Sequence, residues 1–200
     1  MRLLRSAVLT LALLLAACGG QPPVEHPPLT YDYLTKIKLD VGSIDIDDRW
    51  APRGAAQHME YAAPTAPRTA LRQMAEDRLV PGGTTGRAVF VIDDASLIRV
   101  GHRYEGNFAV HIDLYDANEA KIGAASARVR GARAMTADDE DNAPDDLYAL
   151  TRKLMDDMNV ELEFQIRRAF RQKLQTTSPS APAPDAVQTQ DLDAPGTTTP

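Results

Sequence analysis

Residues 104–115 read YEGNFAVHIDLY, and their apolar side chains recur at every second position from Phe108 to Leu114. Residues 87–100, RAVFVIDDASLIRV, are rich in β-branched residues, and residues 121–133 form a third run of this kind. A period of two is typical of strands that bury one face. We interpret the glycines at residues 101, 106 and 131 and the polar segment at residues 116–119 as turns. Three strands joined by short turns form a meander, and the sequence predicts one here.

Upstream of the meander, residues 36–46 alternate apolar and charged side chains around Gly42. We predict a half-buried strand that bends or bulges near this glycine. Residues 47–66 then carry Trp50 among several prolines and a glycine, a composition that favours a loop. The apolar positions of the predicted strand are Ile37, Leu39, Val41, Ile44 and Ile46.

A first helix is predicted over residues 69–79, where apolar side chains fall on one stripe. Proline and glycine in residues 81–86, PGGTTG, are expected to end it. A glycine-rich loop can also hold phosphate, but a phosphate loop follows a strand and precedes a helix, and this one does the reverse. We therefore interpret residues 81–86 as a turn.

A second, longer helix is predicted near the end of the chain from apolar residues that recur every three or four positions. Asn142 is expected to cap its start, and Asp145 and Asp146 place negative charge in its first turn. We interpret Met155 and Met158 as core rather than as a binding groove. The stripe consists of Leu147, Leu150, Leu154, Met158, Leu162, Ile166, Phe170 and Leu174.

The order of these elements, β-α-β-β-β-α, predicts an α+β fold. We expect a four-stranded, mainly antiparallel sheet with two helices on one face. Residues 29–175 are long enough for one domain with its own hydrophobic core.

The first residues of the chain have the layout of a secretory signal. Arg2 and Arg5 precede an apolar run at residues 7–17 that is too short for a permanent membrane helix, which needs about 20 residues. The run ends in Leu15-Ala16-Ala17-Cys18, which resembles the lipobox of bacterial lipoproteins. The resemblance implies cleavage of residues 1–17 between Ala17 and Cys18, and lipid attached to Cys18. An ordinary signal peptide whose cleavage leaves a cysteine nearby, or a short buried helix, is the alternative.

Cys18 is the only cysteine of the chain, so no intrachain disulfide can form. The lipoprotein resemblance implies several acyl chains on this cysteine, enough for stable anchoring in a membrane. Gly19 follows where an aspartate would usually retain such a lipoprotein in the inner membrane. The resemblance therefore implies the outer membrane, with the domain facing the periplasm.

Proline-rich segments flank the domain. Residues 18–28 are expected to form a lipidated, extended spacer, and residues 176–200 a disordered tail rich in proline, threonine and alanine. The formal charge of the chain is −6, and loss of two arginines with the signal makes it −8. This acidic balance argues against a nucleic-acid partner.

We find no metal-binding histidine pair, no paired-cysteine site and no nucleophile elbow, so we predict no catalytic residue, metal or cofactor. The acidic segment at residues 138–146 could attract calcium, but it lacks the glycine and final glutamate of an EF-hand loop. Asp93 and Asp94 are adjacent on a predicted strand, so they should point to opposite faces unless a bulge intervenes. The histidines His26, His58, His102 and His111 are scattered.

In its lipobox, spacer, element order and tail, the whole chain is similar to small outer-membrane lipoproteins of Gram-negative bacteria. Residues 89–95 and the closing helix resemble those of the ABC-type transport auxiliary lipoproteins. The resemblance implies a non-catalytic binding or accessory component of an envelope transport or assembly complex, with a protein partner. A small-ligand or lipid carrier is the alternative, and a periplasmic enzyme is a third hypothesis.

Overall fold

The computed structural model describes residues 25–54, 57–136 and 142–171. The predicted signal peptide, Cys18 and the proline-rich tail lie outside these ranges. Within the described residues the chain forms six strands and two helices. In chain order they are β1 (Ile37–Leu39), β2 (Ser43–Asp47), α1 (Pro67–Arg78), β3 (Leu79–Pro81), β4 (Arg87–Val100), β5 (Arg103–Tyr115), β6 (Lys121–Ala134) and α2 (Ala143–Ala169).

Strands β2, β4, β5 and β6 form the main sheet in that spatial order. β4 pairs antiparallel with β5, and β5 with β6, so the predicted meander is confirmed. β2 lies parallel to β4, and the connection between them through α1 is long enough for a parallel pair. The predicted α+β class with a mainly antiparallel four-stranded sheet is therefore confirmed.

The predicted first strand is in fact two strands. β1 pairs with β3 in a separate two-stranded sheet, whereas β2 joins the main sheet. The chain changes sheets at Gly42, whose N–H lies 3.0 Å from the carbonyl oxygens of both Thr85 and Gly86. A Cβ at residue 42 would lie 3.1 Å from the carbonyl group of Thr84. The glycine therefore allows residues 84–86 to close against the point where the strand divides.

Helices α1 and α2 cover one face of the main sheet. The covered face of β4 carries alternate buried side chains that meet the buried stripe of α2 in one core. Burying each large apolar side chain contributes about 1.5–3 kcal/mol. The predicted stripe is confirmed through the helix, and Phe170 just beyond it is also buried; Leu174 lies outside the described residues. The β4 residues are Ala88, Phe90, Ile92, Ala95 and Leu97.

Two glycines that we predicted as turn positions lie inside strands instead. Gly106 of β5 and Gly131 of β6 are register partners beneath α2. A Cβ at Gly131 would lie 3.1 Å from Leu154 Cδ2 and 3.7 Å from Leu150 Cδ1. The absence of side chains at the two glycines therefore lets α2 lie close to the sheet. Gly101, by contrast, occupies a turn with a φ of 58°.

The first helix begins slightly before its predicted range, with Pro67 in its first turn, where a proline costs no hydrogen bond. It ends at Arg78, and Leu79 passes directly into β3. The expected turn at residues 81–86 therefore follows a short strand rather than the helix itself. Gly82 and Gly83 of this turn donate hydrogen bonds to the carbonyl groups of Leu39 and Val41.

The second helix starts without the predicted side-chain cap, because Asn142 makes no capping hydrogen bond. Asp146 fixes this end of the helix instead. Its carboxylate accepts hydrogen bonds of 2.7 Å from Arg133 Nε and from the backbone N–H and hydroxyl of Thr136. These contacts join the end of β6 to the first turn of α2. Among the described residues, neither helix is long and apolar enough to span a membrane.

Candidate functional site

The face of the main sheet opposite the helices carries mostly polar and small side chains, with a few apolar ones such as Val91 and Ile98. We call it the open face. His111 of β5 pairs in register with Val91 of β4 and with Ser126 of β6, so the three side chains lie on this face. Its other members on these strands include Ser96, Ile98, Asn107, Asp113, Arg128 and Arg130.

A β-bulge in β4 brings Asp93 and Asp94 to the open face together. The register shifts between Ile92 and Asp94, which inserts one residue into the strand. Asp93 accepts a hydrogen bond of 2.8 Å from His111 Nδ1. Asp94 accepts one from the side-chain amide of Asn107. Opposite faces are expected only if no bulge intervenes, and this bulge is that exception.

Asp93, His111 and Ser126 stand in sequence across three neighbouring strands, an order that also occurs in nucleophilic enzymes. Activation of a hydroxyl requires it to lie within about 3 Å of the imidazole nitrogen. Among the described residues no hydrogen bond joins Ser126 to His111, and His111 Nε2 lies 3.9 Å from Asp113 Oδ2 instead. As it stands, the arrangement holds the imidazole in place between two carboxylates.

Asp113 is the most buried carboxylate of the open face, at 8% exposure. One of its oxygens forms an ion pair with Lys121 Nζ at 2.8 Å, and the other has no hydrogen-bond partner among the described residues. A metal ion would need at least three such ligands at suitable spacing, and the described residues contain no such group. Lys121 is therefore the observed counter-ion of this carboxylate.

A cleft lies beside the part of β4 that has no paired strand on its β2 side. β2 ends at Asp47, opposite Val91, and the chain returns to β4 only at residues 57–59. There the N–H of Met59 donates to the carbonyl group of Leu97. Between these points lies a cleft of about 730 Å³, which we call the edge cleft. Its lining includes Asp47, Arg49, Trp50, His58, Asp93 and Asp94.

A second, more apolar hollow of about 320 Å³ adjoins the edge cleft. The two share Trp50, Ala51 and His58. Tyr61 stands at its rim with 83% of its surface exposed. We call this hollow the aromatic pocket and define it by Trp50, Pro52, His58, Tyr61, Pro67 and Arg68.

Helix α1 holds the Trp50 side of the aromatic pocket. Arg68 Nη1 lies 3.4 Å from the carbonyl oxygen of Trp50, and Arg72 Nη1 lies 2.7 Å from the carboxylate of Asp48. Both arginines project from the first turns of α1 toward the loop. The loop that carries Trp50 is therefore tied to the helix before any ligand binds.

His58 holds the opposite side of the pocket. Its Nδ1 lies 3.0 Å from Glu60 Oε1 and its Nε2 lies 3.1 Å from the carbonyl oxygen of Arg53. Glu60 also accepts a hydrogen bond from the N–H of Leu97. The hydrogen bond to Glu60, followed by that to Arg53, raises the pKa of His58 above its usual value. Only the protonated ring can donate to both acceptors at once.

At the far side of the edge cleft, Arg49 and Asp47 form an ion pair at the end of β2. Hydrogen bonds from Arg49 lower the pKa of Asp47 to about 2. Asp47 is therefore an anion at neutral pH, and the guanidinium of Arg49 remains 87% exposed. The cleft thus has cationic and anionic groups on the same wall.

The exposed surface of α2 carries an apolar pair outside the buried stripe. Val160 and Phe164 lie one turn apart and are 73% and 55% exposed. Exposed apolar residues grouped on one surface often mark an interaction site. We call this pair the α2 patch.

Other residues that the sequence analysis considered have ordinary structural roles. Met155 and Met158 are fully buried, as predicted for core residues. His26 contacts Asp145 at 2.8 Å and packs edge-on against the ring of Tyr148. Of the acidic segment, residues 138–141 lie outside the described ranges, as do Ala17 and Cys18.

Sequence reasoning did not identify the aromatic pocket. Trp50, Pro52, Tyr61 and Pro67 are spread over the loop and the first turn of α1, and no periodic pattern connects them. The available indication was a loop that holds the single tryptophan of the chain among prolines. Such a composition suggests a functional loop but gives no geometry.

No family model matches the chain, and no curated protein matches it. Among solved structures, a candidate lipoprotein from Caulobacter crescentus CB15 is similar, with 17% identity and a TM-score of 0.32 over 60% of this chain and 88% of that one. A Xanthomonas campestris protein assigned to the family model DUF330 has 8% identity and a TM-score of 0.38 over 72% of this chain and 93% of that one. At these low TM-scores, neither likeness carries an argument about function.

Proposed function

We propose that the chain is a lipoprotein anchored through Cys18 in the outer membrane, with its domain in the periplasm. We further propose that it acts as a non-catalytic accessory component of an envelope transport or assembly complex. The lipobox Leu15-Ala16-Ala17-Cys18 supports the anchor. The observation that carries the binding role is the α2 patch, because every other large apolar residue from Leu147 to Ile166 on this helix is buried.

The partner is proposed to be a protein of the envelope that covers the α2 patch. Phe164 is 55% exposed, so an interface that covers it removes apolar surface from water, which is favourable. Glu163 and Arg167 form an ion pair beside the patch, at 2.7 Å. They supply the polar rim that surrounds the apolar centre of many interfaces.

The binding role is tested by photocrosslinking in cells. A photoreactive amino acid is placed at Val160 or Phe164 in the full chain, and at Arg152 as the matched control on an exposed position of the same helix. A discrete crosslinked protein at the patch but not at Arg152 is the expected result. Equal crosslinking at all three positions would contradict a specific interface on this helix.

The anchor is tested separately by replacing Cys18. The Cys18→Ala variant should be released in soluble or unprocessed form, because the acyl chains that hold it to the bilayer are gone. A Gly19→Asp variant should move to the inner membrane, which separates the choice of membrane from anchoring. Retention of Cys18→Ala in washed outer membranes would rule the anchor out.

The carrier alternative requires an apolar cavity between the helices and the sheet. At Gly106 and Gly131 that space is filled by Leu150 and Leu154, which are 2% and 0% exposed. This packing favours the accessory role over the carrier. Co-purification of lipid with a monomeric chain that crosslinks to nothing would instead support the carrier.

A further inference from the structure

We propose that the aromatic pocket binds the chain's own proline-rich C-terminal segment, centred on Pro179-Ser180-Ala181-Pro182. The segment and the pocket belong to the same molecule, so the contact is intramolecular. Four observations support this assignment: the lining of the pocket, its free hydrogen-bond donor, its charge and the reach of the tail.

The lining of the pocket suits a polyproline helix. Trp50, Tyr61 and His58 contribute aromatic rings to the lining, and Pro52 and Pro67 add apolar surface. Proline-rich segments bind in grooves of this kind because their extended conformation is already formed and loses little entropy. The spacing Pro-x-x-Pro at Pro179 and Pro182 places two rings on one side of such a helix.

The pocket also offers a donor for the backbone of the occupant. A polyproline helix makes no internal hydrogen bonds, so its carbonyl oxygens need donors. Among the described residues, no side chain or carbonyl group accepts a hydrogen bond from the indole N–H of Trp50. Tyr61 is exposed as well, so its hydroxyl is a second candidate donor. Both groups can donate to carbonyl oxygens of a bound segment.

The charges of the pocket and the tail are complementary. Residues 176–200 contain three aspartates and no lysine or arginine. Arg68 lines the pocket and donates to the carbonyl groups of Asp48 and Trp50, while the nearby carboxylate of Asp48 accepts its hydrogen bond from Arg72. Asp185 follows the proline-rich centre closely enough to approach this guanidinium. The N-terminal prolines are a weaker choice, because Pro27 is already held by Tyr148.

The tail is long enough to reach the pocket. Phe170 lies against Gly123 at the start of β6, and Gly123 is joined through Leu114 to Ala88 by strand pairing. From Ala88 to Ala95, at the pocket, β4 advances about 23 Å, and two strand spacings add about 10 Å across the sheet. The two legs combine to a straight-line separation of about 25 Å, and a chain spans at most about 3.3–3.6 Å per residue at full extension, so residues 172–182 can cover up to about 36–40 Å.

The experiment uses Trp50, the only tryptophan of the chain, as the reporter. Acrylamide quenching of its fluorescence is compared in the full chain, in a Pro179→Ala/Pro182→Ala variant and in a Pro195→Ala/Pro200→Ala control. We expect the quenching constant to rise about two-fold in the first variant, because the ring face that the segment covers becomes accessible. The control should match the unchanged chain. Equal quenching of all three proteins overturns the proposal.

A pocket variant then separates binding from a general effect of the tail. Tyr61→Ala should raise the quenching constant, and combining it with Pro179→Ala/Pro182→Ala should raise it no further, because both changes remove one contact. Additive effects overturn the proposal. All values should be independent of protein concentration, and a dependence on concentration would assign the contact to a second copy instead and overturn the intramolecular form. Tyr61 is exposed, and circular dichroism checks that the fold of each variant is intact.

Discussion

At the scale of single residues, a comparison of two glycines distinguishes the cost of a left-handed backbone from the cost of a steric clash. Gly86 and Gly101 both have a positive φ, at 72° and 58°. A Cβ at residue 86 would lie 2.5 Å from the carbonyl oxygen of Tyr115, whereas a Cβ at residue 101 would meet nothing within 4 Å. Replacement by alanine therefore strains the backbone at Gly101, whereas at Gly86 it strains the backbone and also produces a clash.

We predict that Gly86→Ala destabilises the fold by about 3 kcal/mol and Gly101→Ala by about 1 kcal/mol. The shared part is the left-handed conformation, and the difference is the clash with β5. Urea denaturation of the two variants beside the unchanged chain measures both values. Equal destabilisation would show that the loop before β4 can shift away from Tyr115.

His58 gives a prediction about pH. Its pKa is raised in the folded protein from the usual 6.5, chiefly by Glu60. A raised pKa adds stability that is fully present below the unfolded pKa and is lost as the pH rises through the folded value. We therefore expect His58→Gln to reduce the urea midpoint at about pH 5.5 and to have little effect at about pH 9. A deficit that stays constant across this range would assign the loss to packing rather than to the charged ring.

At the scale of elements, the strands and helices were largely predictable because each has a period that the sequence displays. β4 matches its predicted range, and α2 follows from its stripe. The bulge at Asp93 was not predictable, because one inserted residue changes the register without changing the apolar pattern around it. The division of the first strand at Gly42 depends on residues 84–86, which are distant in sequence.

Of the candidate sites, sequence reasoning correctly assigned Met155 and Met158 to the core. It could not locate the edge cleft, since that cleft is defined by where β2 stops beside β4. The aromatic pocket likewise depends on Arg68 holding the Trp50 loop. Such contacts between separate elements leave no periodic trace in the sequence.

The junction of β6 and α2 yields a prediction with a built-in control. Asp146 is 1% exposed, and although burial opposes its ionisation, hydrogen bonds from Arg133 and Thr136 lower its pKa. We predict that Asp146→Asn costs about 2 kcal/mol, because charge-assisted hydrogen bonds are lost at a buried position. Asp145→Asn, at a neighbouring carboxylate that is 42% exposed, should cost less than about 1 kcal/mol.

Chemical denaturation of both variants checks this prediction. The stability that Asp146 adds should fade as the pH falls through its lowered folded pKa, because a depressed pKa stabilises the fold only while the group is ionised. The deficit of Asp146→Asn should therefore shrink in acid. Similar losses for Asp145→Asn and Asp146→Asn at neutral pH would mean that the junction does not depend on the buried carboxylate.

At the scale of the whole molecule, the segment that leads to the proposed anchor is docked on α2. His26 contacts Asp145, and the hydroxyl of Tyr148 donates a 2.8 Å hydrogen bond to the carbonyl group of Pro27. Only residues 19–25 then separate Cys18 from a fixed point on the domain, a reach of about 25 Å at full extension. If the anchor is as proposed, this docking limits how far the domain stands from the bilayer.

We predict that Tyr148→Phe together with His26→Ala releases this segment without unfolding the domain. The ring of Tyr148 stays in place in phenylalanine, so the losses are its hydrogen bond to Pro27, the contact of His26 with Asp145 and the edge-on contact of the two rings, about 1 kcal/mol for each polar contact. Hydrogen exchange at residues 25–29 should become faster, while exchange in β4 and β5 should remain slow. Exchange that speeds up equally in the sheet would instead mean that the segment is part of the cooperative fold, and the domain could then not move relative to its anchor without unfolding.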